Sequence, residues 1–417
     1  MRDVSYYDER AHGLLAVLPD GARAVLEQVR TWHPAFTDAT DDAIRGAPLT
    51  LDDARLVYAR QHGFASWTHF VAHLTQLGHD PDNEPFLAVF EAAKRGDWPR
   101  ATGILQSQPQ IVRALGTNGN TLLNLACSLA PCVLPGAAAQ SRGDQARLAA
   151  VRLLLGSGAN VQQANDRGWT PLHQAAYRND QEMAAMLLEA GARHDVFAHG
   201  DGGTPLAVAL FWGHREVSAV LAECGVVPGN LRVAAGLGLR VLVEACFDGT
   251  GTLTRSARAG RAFYRPHSGF PAWGPSDDSQ EVLDEALVWA AKSNRVDVMP
   301  LLVAGGARVD AEPYRGTPLL WAAANGYVEA VGWLLDHGAD ANQRATFGGL
   351  SHGEGVTALH LAAQSDHAAM VELLLARGAD PRIRDALYES TPARWAEHGH
   401  ARRALAVLRA RFSGKEG

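Results

Sequence analysis

The sequence predicts an all-α solenoid of stacked helix-turn-helix units, with a helical N-terminal segment and a long central loop insertion. Three observations carry this. One phrase returns six times: Gly119-Asn120-Thr121-Leu122-Leu123, Gly168-Trp169-Thr170-Pro171-Leu172-His173, Gly203-Thr204-Pro205-Leu206, Gly316-Thr317-Pro318-Leu319, Val356-Thr357-Ala358-Leu359-His360 and Ser390-Thr391-Pro392-Ala393. Thr170 and Thr204 stand 34 residues apart, as do Thr357 and Thr391, a period that belongs to stacked supersecondary units. At 417 residues the chain also exceeds one ordinary core, a limit that a solenoid escapes because each unit packs only on its neighbours.

Residues 1–80 read as a separate helical segment. A helix is expected over 22–31, and Thr50 with Asp53 forms a capping box for the helix beginning at Leu51. Ser66 can cap a third helix over 67–77. These pieces either form an independent three-helix unit or cover the apolar end of the first repeat. The boundary is expected at Asp80-Pro81-Asp82-Asn83. About nine repeat units should then fill 81–411, interrupted by irregular insertions at 131–144, 248–280 and 343–355, with a flexible tail at 412–417.

The clearest unit begins at Asp166. Thr170 caps a short helix opened by Pro171, whose missing N–H is harmless in the first turn. Leu172, Ala175 and Ala176 give it a small apolar face, and Asn179-Asp180 ends it. A second helix runs through Met183, Met186, Leu187 and Leu188 to Gly191, a left-handed stop. Helices this short are unstable alone; stacking against copies of themselves solves the problem.

The segments 168–195, 315–342 and 355–381 each carry G-x-T-P-L-H-x-A-A or a close variant, a break, an apolar helix ending in Leu-Leu, and a final Gly-Ala. They resemble ankyrin repeats. Degenerate copies begin at Phe86, Thr121, Thr204, Leu231 and Val282. The stretch 54–74 is similar to the helical segment that precedes the repeats in many bacterial ankyrin proteins. The resemblance implies protein binding or scaffolding through a concave face and its finger loops, by a partner that the sequence does not identify, with no catalytic activity.

Composition narrows the function further. A formal charge of −7 argues against general nucleic-acid binding. The last 36 residues reverse the balance, with eight Lys or Arg against four Asp or Glu, which reads as the solvated face of a terminal helix pair. Cys127, Cys132, Cys224 and Cys246 form no CxxC pair and fit a reducing compartment. Neither a secretory signal nor a run of membrane-span length is evident, so a monomeric cytoplasmic protein without membrane contact is expected. No cofactor and no metal site are expected: His398 and His400 near Glu397 sit two apart and diverge on a helix. His173 and His360 are expected to serve the turns.

Recognition residues are sought where the phrase presents its tips or loses its period. Aromatic and Arg side chains give large contact area at modest entropic cost, which selects Trp169, Phe211, Trp212, Tyr314, Arg315, Trp321 and Tyr327; Trp321 could equally be core. The loop 247–280 adds Arg265, His267 and Trp273 beside Phe263, Tyr264 and Phe270. It is either an anchor with its own hydrophobic cluster or a recognition surface. An alternative makes it a small-molecule or enzymatic site, with His267 as base, Arg265 as anion clamp and Asp278 nearby. The loop at 342–355 adds Phe347 and His352.

Overall fold

The computed structural model describes residues 4–413 apart from 22, 62–63, 65, 80–84, 114–119, 130–136, 166, 199–201, 226, 263–272 and 349–352. They divide into two compact units, Met1–Arg178 with Met186–Ala192, and Asn179–Ala185 with Arg193–Gly417. The expected boundary at 80–83 lies outside the described residues.

Five helices open the first unit: α1 (Val4–Val17), α2 (Arg23–Trp32), α3 (Asp41–Arg45), α4 (Leu51–Gln61) and α5 (Trp67–His79). The Thr50–Asp53 capping box forms reciprocally, with Thr50 N–H donating to Asp53 at 2.8 Å and Asp53 N–H to Thr50 Oγ1 at 3.3 Å. The sequence reading found three helices here and missed α1 and α3. Its signal was present: Tyr7, Ala11, Leu14 and Leu18 make one helical stripe, and Ala11, Leu14 and Leu18 join Leu26, Val29, Ile44, Ala54 and Val57 in a buried cluster. Thr40 caps the short α3.

Nine helix pairs follow among the described residues: α6 (Pro85–Lys94) with α7 (Trp98–Ser107), α8 (Leu122–Ser128) with α9 (Ala137–Gly156), α10 (Pro171–Tyr177) with α11 (Gln181–Glu189), α12 (Pro205–Trp212) with α13 (Arg215–Cys224), α14 (Leu231–Leu237) with α15 (Arg240–Ala245), α16 (Ser279–Lys292) with α17 (Met299–Ala304), α18 (Pro318–Ala324) with α19 (Val328–Asp336), α20 (Ala358–Gln364) with α21 (Ala368–Ala376), and α22 (Pro392–His398) with α23 (Arg402–Ser413). The repeated threonine is a helix cap. Thr121, Thr170, Thr204 and Thr317 each accept a bond from the N–H three residues on, an interaction worth about 1 kcal/mol. His173 and His360 complete the turn: Nδ1 of each accepts the threonine N–H, at 3.3 and 3.1 Å, so each ring is bound by its own repeat. Burial lowers the pKa of His360 and keeps it neutral; Nε2–H donates to Ser390 O at 3.0 Å.

Two of the three pairs that lack the phrase use a substitute, Asp278 at α16 and Asn230 at α14. Asn230 caps α14 by accepting from Val233 N–H at 3.0 Å, the role of Thr in a different residue type. Within the second unit the first helices of successive pairs pack in order, α14 on α16, α16 on α18, α18 on α20 and α20 on α22. Their alanines and leucines build one core from Leu231 to Leu408.

The insertions are more regular than the sequence suggested. Of 131–144, residues from Ala137 onward are the start of α9; the alanines and Arg142 favour helix strongly enough to carry Gly143. Residues Ala345–Phe347 (β1) and Gly353–Val356 (β2) pair antiparallel instead of forming an irregular loop. Ala345 and Val356 bury against Leu320, Leu361 and Trp395. In the central insertion Phe247 bridges Leu253, and Leu253 and Ala257 enter the core. The last helix runs to Ser413, into the segment expected as a tail.

Candidate functional site

In a linear stack the inner helices face an open groove. Here α12 and α16 approach each other over the Ala234–Gly236 part of α14, where its side chains are small. A Cβ at Gly236 would stand 3.2 Å from Leu210 Cδ2 of α12 and 3.5 Å from Trp289 Cε3 of α16. The sequence Ala234-Ala235-Gly236 is what lets both neighbours close in. The carbonyls at the C-terminal end of α12 find partners in the turn between α18 and α19: Asn325 Nδ2 donates to Trp212 O at 3.3 Å, and Tyr327 Oη to Gly213 O at 3.0 Å. Those are the orphan acceptors that every helix end must satisfy.

Between these helices lies a buried lysine. Lys292 is 1 % exposed and donates from Nζ to Phe211 O at 2.9 Å. Its ammonium position is 4.0 Å from the ring centre of Trp321, 4.4 Å from Phe211 and 5.4 Å from Trp289, within cation–π range of all three. Burial pushes its pKa well below the ordinary lysine value; Glu285 opposes the shift and Arg232 reinforces it. The remaining space beside it, lined by Tyr314, Arg315 and Trp289, is about 10 Å³, room for no more than one water.

An ion network locks the central insertion to the same place. The Glu285 carboxylate takes Arg232 Nη1 at 2.8 Å on one oxygen and Arg261 Nε on the other. Arg232 also reaches Gly260 O at 2.8 Å, and Arg261 reaches Ser276 O at 2.6 Å and Glu281 at 2.8 Å. All three central groups are at most 4 % exposed. Arg232 and Arg261 further lie over Trp289 and Trp273, 4.6 and 5.9 Å from the ring centres. These bonds tie the described ends of the insertion to α14 and α16.

The structure gathers many of the nominated recognition residues into this interior. Phe211 and Trp212 pack edge-on to Trp321 at 5.8 and 6.2 Å, Phe347 meets Trp321 at 4.7 Å, and Trp273 meets Tyr314 at 5.3 Å. This corrects the surface reading for three of them: Phe211 and Trp169 are 1 % exposed, and Arg315, paired to Glu354 at 2.7 Å, is 8 % exposed; Trp321, at 3 %, takes its core alternative. The physical reason is that helices facing one another fill the groove they would have lined; Trp169 instead packs on Tyr177 and His173 in the first unit. Trp212, Trp273, Tyr314, Tyr327 and Phe347 are half-buried. Arg265, His267 and His352, with Phe263, Tyr264 and Phe270, lie outside the described residues. Asp278 caps α16 by accepting from Gln280 N–H at 3.3 Å. Lys292, Arg232, Glu285 and Arg261 were missed by sequence reasoning. A Lys ending an otherwise apolar run, Val288-Trp289-Ala290-Ala291-Lys292, was the available signal.

The inner face opens again on the last two pairs. Gln364 of α20, Tyr388 and Ser390 of the connecting turn, Arg394, Trp395, Glu397 and His398 of α22, and His400 line a groove of about 800 Å³. Its geometry is fixed from beneath by Asp385, which accepts from the N–H groups of Leu387, Tyr388 and Ser390 at 2.6–2.9 Å and from Trp395 Nε1 at 3.0 Å. Burial works against that carboxylate, and these four bonds outweigh it, so its pKa falls below the usual value. Tyr388 and Leu387 remain 57 % and 40 % exposed at the rim.

Comparison with known proteins gives the repeat its name. Residues 137–230 and 275–345 match the family described as ankyrin repeats (3 copies), and residues 354–386 match the single ankyrin repeat. The chain is 33% identical over 101 residues to the putative palmitoyltransferase ZDHHC13 of Danio rerio, covering 24% of this chain and 15% of that protein. It is 38% identical over 101 residues to the ankyrin repeat and KH domain-containing protein mask of Drosophila melanogaster, covering 24% and 2%. With the human ankyrin repeat and SOCS box protein 3 the identity is 37% over 106 residues, covering 25% and 19%. The chain thus spans less than a fifth of the length of each of these curated relatives. The protein is an all-α ankyrin-repeat solenoid with a helical N-terminal segment. Among the described residues no group of three or more His, Cys, Asp or Glu is placed to hold a metal ion, and no helix is long and apolar enough to cross a membrane.

Proposed function

We propose that this ankyrin-repeat solenoid binds a partner protein through the inner face of its last two repeats, where α20, α22 and the turn before α22 leave the groove open. The observation that carries the reading is the contrast in cover: the groove at Tyr388 is about 800 Å³, while the equivalent face at α16 and α18 is filled by α12. A pre-shaped surface, with its turn held by Asp385, lowers the ordering cost that association must meet. For the small-molecule alternative at 247–280, Asp278 is committed to capping α16, and Arg265 and His267 lie outside the described residues.

Site-specific photo-crosslinking tests the assignment. A photoreactive residue at position 388 should yield partner adducts in the native cytosol, and one at Val241, exposed on the second-helix side, should not. Equal yields at both positions would remove the groove from consideration.

A further inference from the structure

We infer that the C-terminal groove takes an acidic peptide segment of a protein partner, one carrying a large apolar or aromatic side chain among its carboxylates. This rests on the groove being the binding face. Its charge is the first support. The α22–α23 pair carries Arg394, Arg402, Arg403, Arg409 and Arg411 against a single acid, Glu397, in a chain whose formal charge is −7. That acid is already shared by two guanidiniums, Arg394 Nη1 at 3.2 Å and Arg409 Nη2 at 3.0 Å. The local surplus of positive charge therefore survives pairing. Arg394 keeps 75 % of its side chain exposed at the groove wall.

Of the acids nearby, Asp385 holds the turn and Asp366 binds Arg403 at 3.0 Å and caps α23 through Ala404 N–H, while Glu389 is exposed between Tyr388 and Ser390 and offsets part of the surplus. His398 and His400 line the same groove and offer ring nitrogens for hydrogen bonds. The floor supplies the second half of the recognition: Trp395 lies beneath and Tyr388 stands at the rim with 57 % exposure, 6.5 Å apart between ring centres. A polyanion without an apolar group would leave that aromatic surface wet. A neutral apolar peptide would leave Arg394 desolvated beside it. An acidic segment with one aromatic anchor satisfies both, since a guanidinium gains most from a carboxylate that it can bind through two N–H groups.

The test is selection from a random-peptide display library on the full-length protein, followed by anisotropy titration of the enriched peptides and of a single-stranded oligonucleotide. The inference expects enrichment of Asp and Glu around an aromatic or large aliphatic residue, and weakening by added salt. Arg394→Glu should weaken binding roughly tenfold or more, the scale of one close charge pair, and Tyr388→Ala should weaken it as well. Arg394→Gln serves as a milder variant should the reversal disturb α22. Enrichment of neutral or basic peptides that Tyr388→Ala still abolishes would overturn the acidic class and keep the groove. Peptides indifferent to all three variants, or no enrichment at all, would overturn the groove itself. Tighter binding of the oligonucleotide than of any peptide would overturn a protein partner.

Discussion

The inner faces of α16–α18 and of α20–α22 are the same surface of the same repeat with opposite fates. Four residues after the capping position stand Trp321 in one region and Trp395 in the other. Trp321 is sealed by Phe211, Trp212 and Phe347, and its indole N–H donates to Arg315 O at 2.9 Å. Trp395 hangs its N–H on Asp385 and keeps a groove beside it. Identical repeat positions thus become sealed core or the wall of an open groove according to what the neighbouring helix allows. In the closed region that neighbour is α14, with alanines and a glycine where a larger side chain would hold α12 and α16 apart.

The comparison can be broken most severely at Glu285. Glu285→Ala leaves Arg232 and Arg261 buried without their shared carboxylate and should cost about 3–5 kcal/mol, measured by urea unfolding. A change below 1 kcal/mol would mean that the network contributes little to closure. Binding at the C-terminal groove should persist as long as the protein stays folded.

Lys292→Met sharpens the point. The swap keeps the stem, so stability near neutral pH should move by less than about 1.5 kcal/mol, but the pH dependence should change. With the folded pKa depressed, the unfolded chain holds a proton at Lys292 that the native state has released. Wild-type stability accordingly rises with pH from the depressed folded pKa up to the unfolded value, with a slope of at most about 1.4 kcal/mol per pH unit. Chemical unfolding across the alkaline range should show this slope in wild type and a flatter one in the Met variant. Equal slopes would mean that Lys292 stays charged in its cage.

Two smaller effects separate ordinary repeat chemistry from the special region. Asn230→Ala removes the substitute cap of α14 and should cost about 1 kcal/mol, while Asn230→Thr should restore most of it, both by thermal unfolding. Gly191→Ala keeps open space around the new methyl group but forces an alanine to φ +86°, at about 1 kcal/mol. No loss would show that the stop tolerates a side chain.

Much of the architecture was legible because the repeat writes it many times over. Threonine caps, Pro171 and its counterparts, and the glycine stops each act within a few residues, where sequence spacing is spatial spacing. The weaker signals were local too: Asn230 caps without threonine, and α1 hides its stripe among tyrosines and charges. What could not be read was the encounter of α12 with α16 and α18. Nothing in the spacing of Phe211, Lys292 and Trp321 says that they meet, since each sits at a position that faces a groove in its own repeat. The recognition residues were sought by exposure and residue type, and the same aromatics that suit an interface suit an internal one.

The Phe211–Lys292 bond spans 81 residues and the Trp212–Asn325 bond 113. A simple repeat array holds only short-range contacts, so it can fray from an end, one module at a time. These two bonds tie the fourth pair to the sixth and seventh, and the intervening pair cannot leave while they hold. Folding from pair four to pair seven should thus wait on distant contacts, which slows it, and these four pairs should melt as one block instead of module by module.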